Sequence, residues 1–109
     1  MTDNLGEALA RLWGTIDARR GASPDTSYTA KLLAAGLAGI ARKLGEESLE
    51  AVIEAVRGDG AALTRESADL LYHLLVLWAA AGVSPDDVAA ELARRESISG
   101  IEEKKRRKV

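Results

Sequence analysis

The sequence has no cysteine and no phenylalanine, only two prolines and a single histidine. The missing cysteine excludes disulfides and thiolate metal sites and fits a reducing compartment. Four aromatics are present, Trp13, Tyr28, Tyr72 and Trp78, too few for an extended base-stacking platform. No alternating apolar–polar run is long enough for a convincing strand, and β-branched residues are sparse. The first residues, MTDNLGEALA, lack the basic start and apolar core of a secretion signal. The longest apolar stretch, Leu70 to Val83, is interrupted by Tyr72 and His73 and is too short to span a bilayer. These absences lead to the expectation of a soluble, cytoplasmic protein with no membrane partner.

At 109 residues the chain fits one small domain, 1–109. A domain of this size buries a modest fraction of its surface, which favours oligomerisation. The net charge of −2 conceals an asymmetry, because five of the 15 basic residues lie in one run, Lys104 to Lys108. The rest carries ten basic and 17 acidic residues, a balance of −7. An acidic body argues against a nucleic-acid groove and suits a site that collects cations.

Alanine and leucine dominate, and the chain reads as all-α: four or five helices around an antiparallel helix hairpin. A first helix is predicted from about Asn4 to Arg19, where Leu5, Leu9, Leu12, Trp13 and Ile16 recur at helical spacing. Gly21, Ser23 and Pro24 end it. Ser27 caps a short second helix through Leu32 and Leu33, which Gly36 ends or bends. A third helix spans about Leu37 to Arg57, with Gly58 as its C-cap, and a fourth about Ala61 to Ala81, closed by Gly82. Ser84-Pro85-Asp86-Asp87 starts a fifth, which runs to about Arg95. Residues from about 97 to 109 read as a mobile basic tail. The short Gly58-Asp59-Gly60 loop makes the third and fourth predicted helices a hairpin. From Leu70 to Ala81 the fourth is apolar around much of its circumference and wants burial on more than one side. A homodimer, with this helix in or beside the interface, supplies that burial.

The chemistry sits on the hairpin. Glu47 and Glu50 are three apart on one helix, and Glu66 and Asp69 three apart on the next, so each pair shares a face. Glu46 reaches the same region. Counted from Asp59, the pairs lie at levels differing by only about 3 Å at helical rise. Four carboxylates can therefore converge. An acid pair on a helix is usually a solvated face, but two pairs in phase across a hairpin, set among Leu44, Leu49, Val52, Leu70 and Leu71, are not easily accidental. Their mutual repulsion is relieved by a hard divalent cation, and magnesium prefers such oxygen ligands.

Glu-Glu-x-x-Glu followed by Glu-x-x-Asp resembles the all-α MazG-like nucleotide pyrophosphohydrolases. Three longer words are similar to the phosphoribosyl-ATP pyrophosphohydrolases among them: Ser27 to Leu33 (SYTAKLL), Lys43 to Glu47 (KLGEE) and Glu66 to Leu75 (ESADLLYHLL). The region from Leu92 to Lys104 is similar too. The resemblance covers about residues 5 to 105, with no departure at the acidic positions. It implies a magnesium-dependent helical dimer, with manganese as an alternative ion. It also implies hydrolysis of phosphoribosyl-ATP to phosphoribosyl-AMP and pyrophosphate, the second step of histidine biosynthesis. Whether the chain also makes a transient contact with phosphoribosyl-AMP cyclohydrolase, the next enzyme, the sequence leaves open.

On this reading Glu47, Glu50, Glu66 and Asp69 are metal ligands, and Glu46, Glu47 and Glu50 are the catalytic carboxylates. Glu46 is a further ligand or the base that orients water. Lys31 and Lys43 can meet phosphate as point charges, though a lone helix lysine is more often solvated. Ser27 and Thr29 can donate to substrate, with capping the stronger role for Ser27. His73 lies seven residues after Glu66 and four after Asp69. It is a candidate for substrate contact, against the plainer role of a hydrogen-bonded packing residue. The Lys104 to Lys108 run reads first as a solvated tail; folded over a polyphosphate instead, it would make its contact through Lys104. Trp13 and Trp78 read as core. Two rivals share the pattern: a house-cleaning nucleoside triphosphate pyrophosphohydrolase using the same acids, and a non-enzymatic helical adaptor dimer whose acids are merely solvated.

Overall fold

Side-chain caps set the frame. In the computed structural model, which describes residues 4–96, 98, 100, 104 and 105, each helix starts on a residue whose side chain accepts from the first turn. Asn4 accepts from the Glu7 amide and opens α1 (Leu5–Ala18). Ser27 accepts from Ala30 at 3.1 Å and opens α2 (Tyr28–Arg57). Asp59 accepts from Ala62 at 3.0 Å and opens α3 (Gly60–Ala81). Ser84 and Asp87 form a reciprocal capping box at α4 (Pro85–Arg95), which satisfies two amides the helix itself leaves orphaned. No strand occurs among the described residues.

The second and third predicted helices are limbs of α2, joined at Gly36, whose φ of 81° and ψ of 172° interrupt the helical path. The residue expected to end or bend the segment therefore bends it. Gly58 and Gly82 take left-handed conformations at the ends of α2 and α3, as a helix terminus favours. Between the first of these and the Asp59 cap the chain reverses, laying α3 against α2.

The core lies between α1, both limbs of α2, and α3. Ile16, Leu32, Ile40, Leu75, Val76 and Ala79 form it, with Leu12, Trp13 and Trp78 packed against it. Both tryptophans are thus half-buried packing residues, as their helical spacing implied. Leu32 precedes the Gly36 bend and Ile40 follows it, so the bend lets two limbs of different direction pack on one α3. The apolar span of α3 from Leu70 to Ala80 is buried or half-buried within the single chain. The most exposed apolar stripe lies instead on α2, where Leu49, Val52, Ile53 and Val56 recur at helical spacing and are 43–83% exposed. α4 contributes no buried residue and turns 106° from α3. Among the described residues no single helix is long and apolar enough to cross a membrane. Most of the expected mobile tail lies outside the described residues.

Candidate active site

The antiparallel hairpin brings the acids together. One carboxylate oxygen from each of Glu47, Glu66 and Asp69 lies within 4.8 Å of the others. Glu47 is 7% exposed, Glu66 half-buried and Asp69 exposed, so the cluster opens from the helix interface toward solvent. Oε2 of Glu47 and Oε2 of Glu66 are enclosed without a hydrogen-bond partner. Buried carboxylate oxygens without partners are costly. Here both belong to residues of the acid cluster.

Glu50 is exposed beside this trio, close enough to Glu66 for a shared hydrogen bond to be the leading influence on that carboxyl. That bond, then burial, then repulsion from Glu50, Asp69 and Glu47 push the Glu66 carboxyl above the ordinary carboxylate range. Two carboxyls in hydrogen-bond contact share a proton more readily than they ionise together. Lys43 is the cationic neighbour, with Nζ 3.8 Å from a carboxylate oxygen of Glu46 and 3.8 Å from one of Glu47. At that distance and partial exposure the pairing is weak. Glu46 lies outside the trio, exposed and turned to Lys43.

The donor set fits a hard divalent ion. Three oxygens lie within 4.8 Å, while those on one magnesium ion are at most about 4.2 Å apart at bond lengths of about 2.1 Å. A small contraction would bring the three within the span of one ion.

The remaining candidates divide by environment. His73 is 4% exposed. Its Nδ1 donates to the backbone carbonyl of Asp69 at 2.7 Å, and its Nε2 faces the Tyr28 hydroxyl at 3.4 Å. Thr29 is buried and shares a 2.5 Å hydrogen bond with the Tyr72 hydroxyl; burial pushes that phenol above its ordinary value. Ser27 caps α2, and Lys31 and Lys104 are exposed. Arg42, not singled out from sequence, lines a groove of about 290 Å³ together with Lys43 and Glu46, beside the acids. Its only signal was its place next to Lys43, because an exposed helix arginine reads as solvated. Tyr28 also escaped, since its partners lie more than 40 residues away.

The chain matches the family model for phosphoribosyl-ATP pyrophosphohydrolase over residues 9–96, a span that includes every acid of the cluster. It is 63% identical over 100 residues to a phosphoribosyl-ATP pyrophosphatase of Azospirillum brasilense, covering 92% of this chain and 90% of that protein. A protein of the same name from Dinoroseobacter shibae is 64% identical over 96 residues, covering 88% and 94%. Another, from Paracoccus denitrificans, is 61% identical over 100 residues, covering 92% and 93%.

Proposed function

The chain belongs to the phosphoribosyl-ATP pyrophosphohydrolase family, and from that premise we propose how its acid cluster serves the family's reaction. The chain hydrolyses phosphoribosyl-ATP to phosphoribosyl-AMP and pyrophosphate in histidine biosynthesis, in the cytoplasm. The observation that carries the mechanism is the convergence of Glu47, Glu66 and Asp69 within 4.8 Å, with two unpartnered buried oxygens. These three would hold a magnesium ion, with Glu50 completing or flanking the set. A bound magnesium ion neutralises phosphate charge and acidifies water.

The chain's own side chains supply the rest. Hydrolysis breaks the α–β anhydride by an in-line attack that needs a positioned water and a neutralised phosphate. Glu50 and Glu46 are exposed carboxylates at the rim, able to accept a hydrogen bond from that water. Lys43 and Arg42 line the adjacent groove and offer positive charge to departing pyrophosphate.

The same reading includes a homodimer. Its support is the stripe of Leu49, Val52, Ile53 and Val56 on α2, an apolar face that a second copy would cover. α3, packed against this limb, then lies beside the interface.

The test is cation dependence with product identity. Stripped of metal by chelation, the protein should lose activity on phosphoribosyl-ATP and regain it with magnesium, releasing pyrophosphate visible by phosphorus NMR. Turnover undiminished in excess chelator would overturn the cation role.

A further inference from the structure

Tyr28 opens α2 and is 53% exposed, yet its side chain is held by two neighbours. Its hydroxyl lies 3.4 Å from His73 Nε2. His73 Nδ1 is 2.7 Å from the Asp69 carbonyl, which accepts only, so the proton sits on Nδ1 and the Nε2 lone pair receives the tyrosine hydroxyl. The Tyr28 ring also stacks on Tyr72, with centroids 6.2 Å apart and planes 21° from parallel. Tyr72 is pinned in turn by Thr29 at 2.5 Å. A buried imidazole and a second ring, itself bonded to a buried threonine, thus hold Tyr28 while leaving it substantially exposed.

The anchor ends at the catalytic cluster. Asp69 carries His73 on its backbone carbonyl and offers its carboxylate to the acid trio. The imidazole that holds the ring is therefore one helical turn, about 5.4 Å, from a proposed metal ligand. A nucleotide whose phosphates meet the trio has only a ribose between its α-phosphate and its base.

We propose that Tyr28 is the platform on which the adenine ring stacks when the phosphates occupy the acid cluster. The inference rests on the phosphoribosyl-ATP reading and adds to it a base subsite. Four aromatics cannot build a platform for many bases, but one ring fixed in advance suffices for one. Because the supporting hydrogen bonds and the Tyr72 contact already restrict the ring, little ordering entropy opposes stacking. The proposal also gives the buried His73 and Thr29 a purpose: they position Tyr28 without themselves touching substrate.

The test uses the full chain and two readouts: calorimetric binding of α,β-methylene-ATP with magnesium, and kcat/KM on phosphoribosyl-ATP. Tyr28→Ala and Tyr28→Leu should weaken nucleotide binding about ten- to a hundredfold, the range expected for one base–aromatic stack. Tyr28→Phe and Tyr28→Trp keep a ring and should stay within about threefold of the wild type. Competitive inhibition by inorganic tripolyphosphate, which has no base, should be the same in all of them and also reports that the site is folded. Unchanged analogue binding by Tyr28→Ala would overturn the platform. So would an equal loss of tripolyphosphate inhibition, which would make Tyr28 a support for the cluster. If the wild type fails to turn over phosphoribosyl-ATP, the functional reading falls, while analogue binding still decides the fate of the platform.

Discussion

Among single residues, the Glu50–Glu66 pair links chemistry to stability most directly. The Glu66 carboxyl is raised, first by its hydrogen bond to Glu50. A raised folded-state value means stability that is fully present below the unfolded carboxyl value of about 4.5 and is lost as pH rises through the folded one. Metal-free protein should therefore melt higher in mild acid than at neutral pH, and Glu66→Gln should flatten that dependence in thermal scans with chelator. A wild-type profile unchanged by the substitution would contradict the assignment. Glu91 works in the opposite sense. Its hydrogen bonds to Arg94 and Arg95 lower it to about 2, so its contribution holds above about 4.5 and is lost only as pH falls toward 2. Glu50→Gln should lower kcat by roughly a hundredfold or more, the range for a lost general base, while leaving the helical circular dichroism intact. Near-normal turnover at saturating magnesium would show Glu50 to be dispensable.

At the scale of elements, the Gly36 bend orients everything upstream of it. The first limb of α2 carries Leu32 into the core and Tyr28 to His73, and both depend on the backbone turn at φ 81°. A Cβ at this position would meet nothing within 4 Å, so Gly36→Ala tests backbone strain alone. The expected loss is about 1–2 kcal/mol in urea unfolding; no loss would mean that the bend tolerates an L-residue freely. The elements were largely legible because caps and breakers are local: Ser27, Gly36, Gly58, Gly82 and Ser84 each act within a turn of themselves. Asp59 caps α3 but reads as loop in the sequence, because an acid between two glycines suits either role. The acid trio was legible for a different reason. A short hairpin fixes relative register, so spacing along two helices predicts proximity across them. The Tyr28–His73 and Thr29–Tyr72 contacts had no such ruler. They join residues on either side of a bend whose angle the sequence does not specify. The exposed stripe on α2 was equally hidden, since the burial of α3 by α1 and α2 had to be seen before it was clear which face remained uncovered.

For the whole molecule, two consequences follow from the uncovered face and from the size of the substrate. Replacing Val52 and Val56 together by Asp should convert a dimer into a folded monomer in a sedimentation dilution series, because charge on a face to be desolvated is strongly disfavoured. A wild type that is already a stable monomer at micromolar concentration would remove the dimer claim. Phosphoribosyl-ATP also carries a second ribose-phosphate on its adenine ring, remote from the triphosphate, which the acid cluster cannot hold. Lys31 is exposed, three residues beyond Tyr28 on the same limb, and is the cation proposed here to meet that second phosphate. Loss of such a charge-assisted contact in Lys31→Ala should reduce selectivity over ATP about ten- to a hundredfold. The most direct measurement is kcat/KM for phosphoribosyl-ATP and for ATP, side by side at saturating magnesium, with products identified by phosphorus NMR. A strong preference for phosphoribosyl-ATP with pyrophosphate as co-product is the predicted result; equal values for the two substrates, or stepwise release of orthophosphate, would contradict it.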